Sequence, residues 1–208
     1  MKLKCVILDD YQNAALSMAD WSVLQDRVEV RTLSRYFSDQ NQLVDEIKDS
    51  EIVIIMRERT PFTAELLAKL PKLKLLITSG MRNASIDLKA ATAQGVTVCG
   101  TASGSEAPME LTWALLLGLA RHIVPENNAL RANGPWQSSV GVTLHGKRLG
   151  LLGLGKIGRK VARVAQAFGM EVTAWSQNLT QETADGVGVT LASSKQALLE
   201  SSDFVSIH

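Results

Sequence analysis

Gly153-Leu154-Gly155-Lys156-Ile157-Gly158 directly follows the apolar run Arg148-Leu149-Gly150-Leu151-Leu152 and directly precedes a helical pattern. This G-x-G-x-x-G spacing lets a strand turn tightly into a helix and lets a pyrophosphate approach the backbone. The helix N-terminus then turns N–H groups and a partial positive charge toward the phosphates. The motif alone is common. The strand before it, the helix after it and a second strand at 171–175 give it the βαβ context of a dinucleotide turn.

Working outward, the pattern past the motif continues as α/β. Ile157, Val161, Val164, Ala165 and Phe168 share one helical face, and Gly169 closes it. Residues 187–191, a helix at 194–201 and a strand at 204–207 complete the series. Before the motif, strands are expected at 5–8, 28–33, 51–56, 73–77 and 95–98. Helices are expected between them: around Leu43, Val44 and Ile47 behind a Ser38-Asp39 cap, at 64–70, and at 86–94 ahead of Gly95. Such alternation predicts parallel sheets covered by helices on both faces. The small polar stretch at 101–105 reads as a hinge, and Pro108 suits the first turn of a long apolar helix through about Arg121. The expected class is α/β: two Rossmann/flavodoxin-like parallel-sheet lobes, at 1–100 and 101–208, the second incomplete.

Composition excludes several classes of function. Of the 208 residues, 46% are hydrophobic and 21% charged, as in ordinary globular chains. A net charge of +1 offers no electrostatic case for nucleic acid or an anionic membrane surface. No apolar run reaches the ~18 residues of a membrane span. The N-terminal apolar run is short and ends in Asp9-Asp10, unlike a signal peptide, so cytoplasm is the expected compartment. Cys5 and Cys99 have no metal-ligand spacing and read as small buried hydrophobes. His122, His145 and His208 are scattered and give no metal site. His122 is expected at the negative end of the long helix, and Trp113 and Trp136 are expected to be packing anchors.

Candidate ligand residues cluster where strands end. A dinucleotide site of this kind commonly carries a carboxylate about 20 positions after the glycines, for the ribose. Here that place holds Ser176, Gln177 and Asn178. Ser176 can bond a 2′-hydroxyl and lacks the charge that repels a 2′-phosphate, and no arginine follows to hold one. NAD and NADP both stay open. Arg57 and Arg59 follow the strand at 51–56, at the edge where parallel sheets gather ligands, and a guanidinium there can grip a carboxylate. Ser79-Gly80-Met81-Arg82-Asn83 follows the strand at 73–77, where small residues can expose backbone amides to an anion.

Three blocks carry a family resemblance: residues 77–87, Glu110-Leu111-Thr112-Trp113-Ala114-Leu115-Leu116-Leu117, and residues 146–158. Their order and spacing resemble the NAD(P)-dependent D-isomer-specific 2-hydroxyacid dehydrogenases. The resemblance spans essentially the whole chain. It implies two Rossmann-like lobes, the first binding a small 2-oxo or 2-hydroxy acid, the second NAD or NADP. It places Gly153, Gly155, Lys156, Ile157 and Gly158 at the pyrophosphate, and Ser176, Gln177 and Asn178 at the ribose. It places Thr112 and Met81 on the nicotinamide side, and Arg57, Ser79, Gly80, Met81 and Arg82 around the substrate.

Two departures stand out. Where the family usually carries G-x-G-x-D-N-x-D, this chain has Gly80-Met81-Arg82-Asn83-Ala84-Ser85-Ile86-Asp87. The family's catalytic Arg, Glu and acid/base His lie beyond the strand matched by Asp203-Phe204-Val205-Ser206-Ile207-His208, so no residue here is assigned as catalytic. The 208-residue form is therefore expected to bind rather than to catalyse by itself. The segment from about Glu106 to Trp136 resembles the family's dimer-forming region, which implies a homodimer. The alternative is a non-enzymatic dinucleotide-binding sensor or dimerising module on the same fold.

Overall fold

The computed structural model describes residues 1–208, which form two compact units, Met1–Ser103 and Gly104–His208. The division falls inside the small polar stretch at 101–105.

The first unit runs β1 (Leu3–Ile7), a three-residue 3-10 turn (Ser22–Leu24), β2 (Val28–Thr32), α1 (Gln40–Ile47), β3 (Ile52–Ile55), α2 (Ala64–Ala68), β4 (Leu75–Thr78), α3 (Leu88–Ala93) and β5 (Thr97–Gly100). All pairings are parallel, in the order β2-β1-β3-β4-β5. Period-2 alternation aims Val6, Val53, Ile55 and Leu76 to one face, where they are fully buried. They pack there with Ile47 of α1, Leu66 and Leu67 of α2, Ala91 of α3, and Phe62. Asp39, Thr63 and Asp87 cap the three helices by accepting from Asn41, Leu66 and Ala90 N–H groups.

Helices were expected on both faces of this sheet, and the first unit differs. Its three helices share one core with one sheet face. The right-handed crossover rule sends the β1–β2 connection to the other face. That connection carries only the short 3-10 turn, because Asn13, Ser17, Asp20 and Ser22 favour local turns over a helix. Ile52, Ile54, Leu75 and Ile77 on that face stay half-buried.

The second unit runs α4 (Glu106–Ala120), α5 (Ile123–Arg131), β6 (Arg148–Leu152), α6 (Lys156–Ala167), β7 (Glu171–Trp175), α7 (Gln181–Asp185), β8 (Thr190–Leu191), α8 (Lys195–Ser201) and β9 (Phe204–Ile207). Its parallel sheet is ordered β8-β7-β6-β9. Leu149 and Leu151 face a core with Trp113 and Leu116 of α4 and Val161 and Ala165 of α6. Gly150 faces the other way, where a Cβ would strike Leu198 of α8 and Ser202, so the missing side chain lets α8 approach β6.

Of three expectations tested here, two are corrected. His122 follows Arg121, the C-cap of α4, and its N–H donates to the Leu119 carbonyl (3.3 Å). It adopts a left-handed conformation (φ 53) between α4 and α5, and its Nδ1 meets Ser139 Oγ at 2.9 Å. Trp136 is 76% exposed and anchors nothing within its unit, whereas Trp113 is buried against Phe168. Cys99 is exposed near the end of β5; Cys5 is buried, which pushes its thiol up to about 11. No helix is long and apolar enough to cross a membrane.

Candidate functional site

In the second unit the C-terminal ends of β6, β7 and β9 meet at residues 153–158. Gly153 has φ +111, a region closed to most side chains, and makes the turn out of β6. Its N–H donates to the Trp175 carbonyl at the end of β7 (3.0 Å). Gly158 lies buried in the first turn of α6, where a Cβ would collide with the Gly153 carbonyl. Gly155 is the N-cap of α6 and has no side chain of its own to cap it, and a Cβ there would meet nothing within 4 Å. The three glycines thus divide the work: one turns, one leaves open space over the helix N-terminus, one lets helix and strand touch. Open space over the N-terminus of a 12-residue helix fits the pyrophosphate of a dinucleotide.

Lys156 is exposed and Ile157 half-buried in that first turn. Ser176 follows β7 directly and is half-buried; Gln177 and Asn178 are exposed in a turn closed by Leu179 N–H to the Ser176 carbonyl (3.2 Å). Thr112 lies elsewhere in the unit. Its hydroxyl donates to the Pro108 carbonyl (2.8 Å), and it lines a groove of about 500 Å³ with Leu116 and residues 203–207. None of the motif glycines lines that groove.

In the first unit the loops after β3 and β4 are stitched together. Arg57 has φ 55, left-handed and uncommon for a side chain of its size. Its N–H donates to Ser79 Oγ (3.1 Å), and its carbonyl accepts from Asn83 Nδ2 (2.6 Å). Gly80, at φ +95, has room for no Cβ because the Arg57 guanidinium occupies that side. The expected cradle of amides at 79–82 is narrower than the spacing implied. Ser79 N–H donates to the Ile55 carbonyl and Gly80 N–H to Thr101 Oγ1, both at 3.0 Å. That leaves the amides of Met81 and Arg82, both exposed residues, for an anion.

Arg59 is otherwise engaged. Its Nη1 donates to the Asp9 carbonyl (2.8 Å), and its guanidinium lies 4.6 Å from the centre of the Tyr11 ring. Asp9, 2% exposed, accepts from Thr60 Oγ1 (2.7 Å) and Tyr11 Oη (3.1 Å). Desolvation, then the hydrogen bond to Asp9, pushes the Tyr11 phenol up. Sequence reasoning took Asp9-Asp10 only as the end of an apolar run. The available signal was a carboxylate pair at the C-terminal end of a buried strand. Asn83 was read only as the end of the loop at 79–83, since its bond to Arg57 crosses from one loop to another.

Such a turn, in such a sheet, is that of a Rossmann-like dinucleotide-binding unit. Residues 113–208 match the family model described as D-isomer specific 2-hydroxyacid dehydrogenase, NAD binding domain, and the chain belongs to that family. Among its relatives is the D-3-phosphoglycerate dehydrogenase of Methanocaldococcus jannaschii, 34% identical over 81% of this chain and 32% of that protein. A phosphoglycerate oxidoreductase structure from Vibrio cholerae O395 superposes with a TM-score of 0.90 at 35% identity, over 99% of this chain and 66% of that one. A Ralstonia solanacearum structure, provisionally described as a D-3-phosphoglycerate dehydrogenase, gives 0.89 at 38% identity, over 100% and 65%. The chain thus spans about a third of the length of the curated relatives it matches.

Proposed function

We propose that the chain serves an NAD(P)-dependent oxidoreductase acting on a D-2-hydroxy acid, or on the corresponding 2-oxo acid in reverse. The bound nicotinamide would supply or accept a hydride at the substrate's C2. The chain's own residues bind and orient. Gly153, Gly155 and Gly158, with Lys156 and Ile157, receive the pyrophosphate at the start of α6; Ser176, Gln177 and Asn178 face the ribose. Arg57 and the amides of Met81 and Arg82 hold the substrate carboxylate. The observation that carries the reading is the open space over Gly155 at the N-terminus of α6.

Ser176 neither repels nor clamps a 2′-phosphate, so NADP binding is proposed alongside NAD. The compartment proposed is the cytoplasm, and the assembly a homodimer. Supporting the dimer, Leu111, Leu115 and Leu119 form an exposed i, i+4 stripe on α4, continued by Ile123 and Val124 of α5. A second reading, a non-catalytic dinucleotide-binding module, draws support from the histidines. All three lie in the second unit, and none shares a unit with Arg57.

Calorimetric titration of the chain with phosphohydroxypyruvate, hydroxypyruvate and glyoxylate tests the substrate half. At least one should bind in a manner that Arg57→Ala weakens by about tenfold or more. Equal binding by wild type and Arg57→Ala would reject this assignment and favour the binding-module reading.

A further inference from the structure

We infer that Asn83 is the positioning residue for Arg57, holding its backbone in the one conformation that lays the guanidinium across Gly80. The inference rests on the reading that Arg57 receives the substrate carboxylate. A primary amide has two donors and two acceptor lone pairs, and Asn83 uses all four. Nδ2 donates to the Arg57 carbonyl (2.6 Å) and to Thr78 Oγ1 (2.9 Å). Oδ1 accepts from the Ser85 N–H (2.9 Å) and the Ser85 hydroxyl (2.6 Å). Only one orientation of the amide satisfies this set: a flip would set Oδ1 against the Arg57 carbonyl and Nδ2 against the Ser85 N–H.

The partners link three places in the fold. Thr78 is the buried last residue of β4, Ser85 precedes α3, and Arg57 follows β3. Arg57 is thereby gripped at both ends of its peptide unit, by Ser79 at the N–H and by Asn83 at the carbonyl. Left-handed backbone is disfavoured for a residue with a side chain, and it persists where surrounding contacts over-determine it. Here those contacts come from the β4–α3 loop, which also presents Gly80 to the guanidinium. The arginine's reach is therefore set by an asparagine 26 positions away, acting through the Arg57 backbone.

The test uses the 208-residue chain and oxalate as the carboxylate probe. Oxalate binding is measured calorimetrically for wild type, Arg57→Ala, Asn83→Asp and the double variant. Asn83→Asp keeps the shape and the acceptors for Ser85 but removes both donors and sets a carboxylate oxygen against the Arg57 carbonyl. The inference predicts a loss of about tenfold for Asn83→Asp, and no additional loss when Arg57 is already alanine. Amide hydrogen exchange at Arg57, read without ligand, should quicken in Asn83→Asp and in the milder Ser85→Ala, with exchange in β1 and β3 unchanged. Wild-type affinity in Asn83→Asp, or a loss that adds in full to that of Arg57→Ala, overturns the inference, as does unchanged exchange at Arg57. Failure of the wild type to bind oxalate, or indifference of its binding to Arg57→Ala, removes the reading of Arg57 and the inference together.

Discussion

Asp9 illustrates how much of this site is settled one side chain at a time. It is buried, left-handed at φ 59, and holds Thr60 Oγ1 at 2.7 Å across a chain separation of 51 residues. Removing the carboxylate leaves the buried Thr60 hydroxyl without that acceptor. Asp9→Ala should cost about 1–3 kcal/mol of stability in urea denaturation; a change below about 0.5 kcal/mol would mean the network is dispensable. The glycine motif was legible because each glycine acts within six residues of the others: a turn, an opening and a close approach are local consequences of a missing Cβ. The roles of Asn83 and Asp9 were not legible, because Arg57 and Thr60, their distant partners, are brought up only by the order of the strands. Arg57 was found by its place after a strand, but its left-handed backbone depends on Ser79 and Asn83 and carries no local signal.

At the scale of elements, strands and capped helices were readable and the joints less so. The strands at 171–175 and 204–207 match their expected bounds, since apolar runs flanked by turn residues leave little choice. The expected strands at 73–77 and 95–98 lie about two residues later, because Leu73 and Val96 pack in the core as lead-in residues ahead of the ladder. α5 was not foreseen: a left-handed His122 breaks the register of a long apolar helix, and the available signal was Pro125 in the first turn of the new helix. An ion pair adds to the apolar packing between α4 and α6. Glu106 accepts from Lys160 and from the backbone N–H of Ser105, and these bonds, Lys160 first, hold its carboxyl down at about 2 from a usual 4.5. A carboxyl depressed by folding stabilises the fold at pH above about 4.5, and that contribution fades as pH falls through 2. The pair is exposed and solvent-screened, so the effect is small. Glu106→Gln should flatten the acid limb of the stability curve between those values and leave it unchanged near neutrality. An unaltered limb, measured by thermal melts across the range, would show that the tie contributes nothing.

At the scale of the whole molecule, each unit has a core of its own, and each presents its ligand groups where parallel strands end. This much followed from the alternation of apolar runs. The half-open face of the first sheet did not, because it depends on the hand of one crossover and on the turn-forming β1–β2 connection. The exposed leucine stripe of α4 predicts self-association. Leu119→Glu should convert a dimer to a monomer in light scattering while preserving the thermal midpoint; a monomeric wild type would contradict the proposed assembly.

The central claim is that the open N-terminus of α6 holds the dinucleotide, and its most direct measurement is a fluorescence titration of the chain with NADH. Wild type should saturate, and Gly155→Val, whose side chain enters space with no neighbour within 4 Å, should fold normally. That variant should bind at least about tenfold more weakly. Absence of binding by wild type at millimolar NADH, or equal affinity in Gly155→Val, would contradict the account.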